Sequence, residues 1–301
     1  MPSRPALLSE SEADALQAIL IYVAGRTGCD FTRYNRNTMS RRVLRRMIDT
    51  QSRSMVEYLE LLRAYHGEVG ELVRFLTIHV SEFFRDPPVF ELLAAEVLPE
   101  ILRRKQARGE YSLRIWSAAS ACGEELYSLA MLVSEALAPQ PSPDLHWSLT
   151  MLGTDIDDEA VRAAGQGIYH ARGMKMVPPA FRAKYFFPAG DPHTEQWALV
   201  PQLTAMCAFQ TFDLTTRGSL SPPGGVFAEY DLICCRNFFI YCQNALKDEV
   251  LHRLHRSLCP GGYLILGKAE VLPPTLEQWY HPVDRRLRVY HKKGDPRAEK
   301  N

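Results

Sequence analysis

The sequence lacks any long apolar run and any pairing pattern among its cysteines. No apolar run approaches the roughly 18 residues that a membrane span needs, and no basic segment followed by an apolar one stands at the start. The seven cysteines are an odd number without a CxxC pair, which is atypical of a disulfide framework. We therefore expect a cytoplasmic protein with reduced thiols that is neither secreted nor inserted into a membrane.

Net charge is also lacking. The 35 basic residues balance the 35 acidic ones, so the total charge argues neither for nor against a nucleic-acid partner. No Ser-His-Asp or Cys-His arrangement indicates nucleophilic catalysis. His252 and His255 lie three residues apart on a predicted helix, but no carboxylate or cysteine completes a metal site. A solvated helix face explains this pair better, and we expect no metal.

No strand pattern occurs before residue 111, which predicts an all-helical N-terminal domain over residues 1–86. Further on, strands and helices alternate, which predicts an α/β domain with a parallel sheet over residues 87–295. Residues 168–206 interrupt this alternation and contain five prolines, which predicts a small inserted subdomain. Residues 296–301 are predicted to be a tail.

Acidic residues are absent from the segment between Phe31 and Ile48, which contains six arginines. A solvated face of an amphipathic helix is one interpretation, and a docking face for an acidic partner is the other. The lack of a neutralising acid favours docking. On a helix over Thr38–Asp49, one side would carry Arg41, Arg42, Arg45 and Arg46, and the other Val43, Leu44, Met47 and Ile48.

A strand, a turn of small residues and a helix follow one another from Leu113 onward, as in the first unit of a Rossmann-like nucleotide site. The turn reads SAASACG, and small side chains let a ligand lie against the backbone. Glu124 and Glu125 at the start of the helix would repel a phosphate. S-adenosylmethionine suits the turn better, because it has a sulfonium, an ammonium and a ribose. Cys122 is interpreted as a small filler, since adjacent carboxylates disfavour a thiolate.

Polar residues stand where the later predicted strands end, which is where open parallel sheets bind ligands. They are Asp155, Asp213, Arg236 and Asn237. Asp155 is placed to accept both ribose hydroxyls of an adenosine. The alternative is that it caps the following helix, but Asp157 or Asp158 fills that role better.

Several segments together identify the chain as similar to the CheR family of chemotaxis receptor methyltransferases. They are SEFFRD, RIWSAAS-x-x-GEE-x-YS, GTDID, YDLICCRNFFIYC (with Tyr230 where the family has Phe) and the Pro260–Tyr263 turn. Their order and spacing match over essentially the whole chain. The resemblance implies a Rossmann-like methyltransferase domain with an inserted subdomain, preceded by an all-α domain. It also implies methyl transfer from S-adenosylmethionine to glutamates in the cytoplasmic helical domain of methyl-accepting receptors, by a monomer without metal or nucleic acid.

The resemblance also implies site residues. Arg85 and Tyr241 would hold the acceptor carboxylate, which is already ionised at neutral pH and needs no general base. His79, Ser81 and Asp213 stand where Asn, Thr and Asn are usual. The implied cofactor contacts are His79, Ser81, Arg85, Glu125, Asp155, Asp213, Leu214, Arg236 and Asn237.

Two other functions stay open at this point. The substitutions at His79 and Asp213 allow a catalytically weak or inactive protein that binds S-adenosylmethionine or S-adenosylhomocysteine and regulates a chemosensory-like pathway. The arginine face allows a nucleic-acid methyltransferase. Against the latter, the segment from Asp86 to Val89 lacks the aromatic residue of the D/N-P-P-Y/F motif and precedes a helix.

Overall fold

The computed structural model describes residues 9–77, 81–138, 146–216 and 229–294. Contacts divide the chain into two compact units. The first consists of Met1–Ile78, Thr215–Arg217 and Phe239–Glu249, and the second of His79–Leu214, Gly218–Phe238 and Val250–Asn301. Each unit therefore contains more than one segment of the sequence, whereas the sequence prediction placed a single boundary after residue 86.

The first unit is helical in its described part. Ser9 caps its first helix by accepting from the Glu12 amide, and the Glu12 side chain accepts in return from the Ser9 amide. Gly28 ends that helix in the left-handed conformation, with φ of 79°. The helices are α1 (Glu10–Thr27), α2 (Arg36–Asp49), α3 (Met55–Ala64) and α4 (His66–Leu76).

A segment from late in the sequence completes the first unit. This segment contains a 3₁₀ turn, Phe239–Tyr241. The Tyr241 carbonyl accepts a hydrogen bond of 2.7 Å from the backbone amide of Asn35. The backbone N–H of Gln243 donates to the Arg33 carbonyl at 3.0 Å. The Arg33 side chain forms an ion pair with Glu249. These contacts fix the chain that leads into α2.

The arginine-rich helix α2 differs from the prediction in which residues it buries. Val43 and Met47 are buried, but Leu44 and Ile48 are 38% and 68% exposed, so their predicted place on the buried side is wrong. Residues three and four apart share a helix face, and Leu44 and Ile48 therefore lie with Arg41 and Arg45 on the outer face. All four of these outer residues are exposed.

Arg42 and Arg46 lie between the two faces and contact the first unit itself. Arg42 donates to the carbonyl oxygens of Phe75 and Thr77. Arg46 donates from Nε and Nη2 to the two carboxylate oxygens of Glu68, both at 2.7 Å. Glu68 is buried and neutralises Arg46, which also lies 3.9 Å from the Asp49 carboxylate just beyond the acid-free segment. The expected docking face of four arginines thus includes two that contact the first unit itself, and docking by all four stays a prediction.

The second unit is built on a mixed seven-stranded sheet with the order β6-β2-β1-β7-β8-β10-β9. The pairs from β6 to β8 are parallel, and β10 pairs antiparallel with β8 and β9. The strands are β1 (Ser112–Ala118), β2 (Ser148–Asp155), β3 (Ile168–His170), β4 (Phe186–Ala189), β5 (Gln196–Leu199), β6 (Cys207–Thr211), β7 (Tyr230–Cys235), β8 (Leu258–Leu266), β9 (Tyr280–Asp284) and β10 (Val289–Lys292).

Helices precede the first strand and connect later ones, as the alternating pattern predicts. They are α5 (Pro87–Leu92), which continues through a π-helical turn (Leu93–Val97) into α6 (Leu98–Ala107), and then α7 (Glu124–Leu137), α8 (Asp158–Gln166), α9 (Pro179–Tyr185), α10 (Pro201–Met206), α11 (Asn244–Ser257) and α12 (Pro274–Glu277). In the sheet order, β2 and β6 lie on one side of β1, and β7 and β8 lie on its other side. The switch point of the sheet therefore lies between β1 and β7, where open sheets bind ligands. The predicted α/β fold class is confirmed.

The segment that interrupts the alternation forms a separate antiparallel sheet, with the order β3-β5-β4. Its Tyr169 and Phe186 rings pack on Phe83, with centroids 4.7 and 5.3 Å away. The small sheet thus lies against the segment that contains Phe83. In the described part of the chain, no helix is both long and apolar enough to cross a membrane.

Candidate functional site

The small-residue turn after β1 is held in an unusual backbone conformation. Ala119 and Ala121 have φ of 59° and 48°, in the left-handed region that costs a non-glycine residue energy. The Ser120 amide donates to the Thr154 carbonyl at 2.9 Å, and the Tyr169 hydroxyl donates to the Cys122 carbonyl at 2.7 Å. Both β2 and the small antiparallel sheet therefore hold the turn.

Asp155, at the end of β2, holds the small-residue turn through its side chain. One carboxylate oxygen accepts from the Ala121 amide at 2.8 Å, and the other accepts from the Asp157 amide at 3.1 Å. The N-cap of α8 is Asp157, which accepts from the amides of Glu159 and Ala160. The structure thus confirms that Asp155 is not the cap, and it leaves this buried acid beside the turn.

Arg236, at the end of β7, is the centre of a buried hydrogen-bond network. Its side chain is 3% exposed. Nη1 donates to Glu125 at 3.2 Å, while Nη2 donates to the Arg85 carbonyl at 2.8 Å and to Asp86 at 2.6 Å. The other Glu125 oxygen accepts from the Ser117 hydroxyl at 2.8 Å. One guanidinium thus joins β7, the start of α7 and the segment before α5.

The FFRD segment that precedes α5 is fixed at both ends. The Phe84 amide donates to the Ser128 hydroxyl at 3.0 Å, and that hydroxyl donates to the Glu124 carbonyl at 2.7 Å. Phe84 and Asp86 have φ of 52° and 62°, on either side of Arg85. Arg85 is half-buried, and its backbone is held by Arg236.

Asn237 also has a left-handed backbone, with φ of 62°. Its amide donates to Glu270 at 3.1 Å, and the same carboxylate oxygen accepts from the Gly267 amide at 2.6 Å. A Cβ on Gly267 would lie 2.7 Å from the Asn237 nitrogen, so only glycine allows this approach. Glu270 is buried and was not predicted from the sequence.

The segment after β6 follows the edge of the same sheet. The Phe212 amide donates to the Asp155 carbonyl at 2.8 Å. The Leu214 carbonyl accepts from Arg253, and Leu214 is buried whereas Asp213 is half-buried. Because Phe212 is hydrogen-bonded to Asp155, these backbone contacts place Asp213 near Asp155 at the same edge of the sheet.

The predicted site residues fall into three groups. Ser81 and Arg85 belong to the second unit together with Glu125, Asp155, Asp213, Leu214, Arg236 and Asn237. Tyr241 belongs to the first unit, as do the four arginines of α2. His79 lies outside the described residues. The structure brings together Glu125, Arg236 and the Arg85 backbone, and it joins Asp155 to the small-residue turn.

The charge around the turn is negative. Burial contributes most, followed in order by the negative charges of Glu124, Asp155 and Asp157, and together they raise the pKa of the Cys122 thiol to about 11. The cysteine is therefore a poor nucleophile, as the sequence predicts. The same field favours a cationic ligand and disfavours a phosphate.

Strained backbone concentrates in this region. Eight non-glycine residues of the described chain have positive φ, and five of them are Phe84, Asp86, Ala119, Ala121 and Asn237. Such conformations cost roughly 1–3 kcal/mol each and persist where the surrounding contacts enforce them, characteristically at functional sites.

The donors and acceptors of the site fit S-adenosylmethionine. The carboxylates of Glu125 and Asp155 would accept from its ammonium and ribose hydroxyls. The buried Ser120 Oγ and Arg236 Nε have no hydrogen-bond partner among the described residues, so they leave one hydroxyl and one N–H donor for a ligand. The small residues of the turn leave room beside the backbone.

Comparison with known protein families identifies the family of the chain. The model described as "CheR methyltransferase, SAM binding domain" matches residues 79–289. The chain belongs to the CheR methyltransferase family. A second CheR model, described as "CheR methyltransferase, all-alpha domain", matches residues 14–77. The resemblance of the sequence motifs is therefore confirmed.

Relatives named chemotaxis protein methyltransferase match most of the chain. Chemotaxis protein methyltransferase 1 of Pseudomonas aeruginosa is 32% identical over 231 residues, which cover 76% of this chain and 80% of the relative. Chemotaxis protein methyltransferase of Escherichia coli is 31% identical over 247 residues, which cover 81% and 80%. An uncharacterized 104.1 kDa protein of Rhodobacter capsulatus is 32% identical over 261 residues, or 86% of this chain but only 26% of that longer protein.

Solved structures give weaker matches. Magnesium protoporphyrin IX methyltransferase from Synechocystis with bound SAM is 15% identical, covers 64% of this chain and 74% of its own, and has a TM-score of 0.31.

Four polar residues of this CheR site were missed in the sequence. Asp86 was interpreted only as part of a helix start, and α5 does begin at the next residue. Ser117 and Ser128 lie in segments that also matched the family, but nothing local assigns them partners. Glu270 contacts residues 33 and 3 positions away, and the short GKAE segment around it gave no signal.

Proposed function

We propose that this chain transfers a methyl group from S-adenosylmethionine to glutamate side chains in the cytoplasmic helical domain of methyl-accepting chemotaxis receptors. The product is a glutamyl methyl ester, and the transfer serves sensory adaptation. The observation that carries this proposal is the acid-lined turn closed by the buried Arg236–Glu125 pair in a chain of the CheR family. The names of the Pseudomonas and Escherichia relatives support the chemotactic context.

When bound, S-adenosylmethionine supplies an electrophilic methyl group on its sulfonium. Glu125 orients the ammonium end of the cofactor and Asp155 accepts from the ribose, since both carboxylates border the small-residue turn. Arg85 orients the acceptor carboxylate. That carboxylate is ionised at neutral pH, so no residue has to remove a proton. The rate gain then comes from positioning and from exclusion of water.

The outer face of α2 supplies receptor docking in this proposal. Arg41 and Arg45 are exposed together with Leu44 and Ile48, and the face combines positive charge with apolar surface. A receptor helix with glutamates and adjacent apolar residues is complementary to it. Arg42 and Arg46 are assigned a structural role instead, because they contact the first unit itself.

Methyl transfer to receptor membranes tests the proposal. Incubation with tritiated S-adenosylmethionine should label a receptor band, and treatment with mild base should release the label as methanol, as expected of an ester. Binding of S-adenosylhomocysteine without any labelling would instead assign a binding-only role. Label that disappears on nuclease treatment would indicate a nucleic-acid acceptor.

The docking assignment has its own test. Arg41→Glu with Arg45→Glu should raise KM for the receptor at least tenfold, with the affinity for S-adenosylhomocysteine unchanged; about tenfold corresponds to roughly 1.4 kcal/mol. Arg53→Glu with Arg63→Glu is the matched control, because both are exposed arginines of the same unit outside α2. Equal effects of the two changes would remove the docking role from α2.

A further inference from the structure

Asp86 stands outside the predicted contacts, yet it contacts the centre of the site. Its carboxylate accepts from Arg236 Nη2 at 2.6 Å, and the side chain of Arg236 is 3% exposed while that of Asp86 is 40% exposed. The same nitrogen donates to the Arg85 carbonyl at 2.8 Å. One NH2 group of the guanidinium thus holds two consecutive residues of the FFRD segment.

The conformation of this segment needs such a restraint. Phe84 and Asp86 are both left-handed, so the backbone turns sharply on either side of Arg85. The hydroxyl of Ser128 holds the Phe84 amide at 3.0 Å, and Arg236 holds the next carbonyl. The direction of the Arg85 side chain follows from where this backbone is fixed.

Charge balance connects Asp86 to Glu125 as well. The buried Arg236 contacts two carboxylates, Asp86 and Glu125, so the three groups together carry one net negative charge. With Asp86 present, Glu125 is only one of two counterions. It can then accept from a cationic ligand while Arg236 stays neutralised.

We infer that Asp86 is a positioning residue that acts through Arg236 to set the Arg85 backbone and to leave the Glu125 carboxylate available to the cofactor. This inference rests on the proposed function and deepens it. It assigns Asp86 no contact with the reacting atoms.

Asp86→Asn tests the inference, because it removes the charge and keeps the size. Glu100→Gln is the matched control: Glu100 is 42% exposed and pairs with Arg103 at 2.9 Å, away from this network. We expect Asp86→Asn to raise the Kd of S-adenosylhomocysteine in calorimetry about tenfold, as for loss of one charge-assisted hydrogen bond. At saturating cofactor and receptor, kcat should also fall at least tenfold. Glu100→Gln should change either value by less than about twofold.

Two further readouts separate positioning from structural support. Hydrogen exchange of the Phe84 amide, without cofactor, should accelerate in Asp86→Asn and not in Glu100→Gln. Asp86→Glu, which restores the carboxylate, should return kcat to within about threefold of the unaltered chain.

Three results would overturn the inference. They are equal Kd and kcat effects of Asp86→Asn and Glu100→Gln, a failure of Asp86→Glu to recover activity, and an Asp86→Asn protein that does not fold. The Kd comparison needs no receptor. A chain that binds S-adenosylhomocysteine but methylates no receptor would therefore refute the proposed acceptor and still test Asp86.

Discussion

Replacing Arg46 with methionine should destabilise the first unit, whereas the same change at its neighbour Arg45 should not. Arg46 binds Glu68 through two hydrogen bonds of 2.7 Å, and Glu68 is 4% exposed. After the change, the buried carboxylate would keep the Tyr58 hydroxyl, at 2.7 Å, as a remaining donor. Arg45 is exposed.

The magnitude follows from the burial of Glu68. Removing one partner of a buried ion pair costs roughly 3–5 kcal/mol, because a buried charge loses its compensation. The side chain of Arg46 retains 20% exposure, so water can partly replace it, and we expect about 3 kcal/mol. Total stabilities are about 5–15 kcal/mol, so this loss is large. An exposed substitution such as Arg45→Met usually changes stability by less than about 0.5 kcal/mol.

Urea unfolding followed by circular dichroism measures this difference, since the first unit is helical in its described part. A double variant, Arg46→Met with Glu68→Gln, should recover most of the loss, because both charges are then removed and the amide oxygen of the new side chain still accepts from the Tyr58 hydroxyl. Similar unfolding curves for the two single variants would refute the structural role of Arg46. So would a double variant as unstable as Arg46→Met alone.

Four other outcomes follow from the site and its surroundings. Arg85→Ala should abolish most methyl-ester formation in the tritium assay, and unchanged labelling would refute its assignment. Asp155→Asn should weaken S-adenosylhomocysteine binding about tenfold or more in calorimetry, because a bond to a charged acceptor contributes roughly 1.5–3 kcal/mol. Cys122, with its pKa raised to about 11, should react with iodoacetamide at pH 7.5 at least about tenfold more slowly than a free thiol of pKa about 8.5, as followed by mass spectrometry. His255 has its pKa lowered to about 4, first by burial and then by Lys292, so stability should be full above pH 6.5 and fall as the pH drops from 6.5 towards 4; His255→Gln should flatten this fall in thermal melts.

The sheet and the turn after β1 could be predicted because their signals are local. A strand, seven small residues and a helix with two initial acids occupy consecutive positions, and the acid at the end of β2 needs only the strand boundary to be found. The alternation of strands and helices implies parallel pairing and hence the switch point.

Other features depend on partners that are distant in sequence. Asp86 and Arg236 are 150 residues apart, and nothing near Asp86 indicates the pair. The buried acid that engages Arg46 lies on α4, 22 residues later, so the local absence of acids was misleading. Left-handed alanines at 119 and 121 are equally hidden, since alanine ordinarily avoids that conformation and only the contacts of the folded turn enforce it.

The short strands β3 and β4 of the small sheet escaped prediction for a different reason. They span three or four residues each, too few for an alternating pattern to stand out. Pro188 lies inside β4, where proline normally argues against a strand, and it is tolerated because β4 is at the edge of the β3-β5-β4 sheet.

The first unit is assembled from segments that a ribosome produces at different times. Its helices α1 to α4 end by Leu76, but the segment that pairs with residues 33–35 comes only with Phe239–Glu249. At a translation rate of about 5–20 residues per second, that segment is synthesised roughly 10 to 35 s after the helices. The hydrogen bonds from Asn35 to Tyr241 and from Gln243 to Arg33 must therefore form late in synthesis. A nascent chain halted before residue 239 would contain the sequence of α1 to α4. The residues that lead into α2 would still lack their hydrogen bonds to Tyr241 and Gln243.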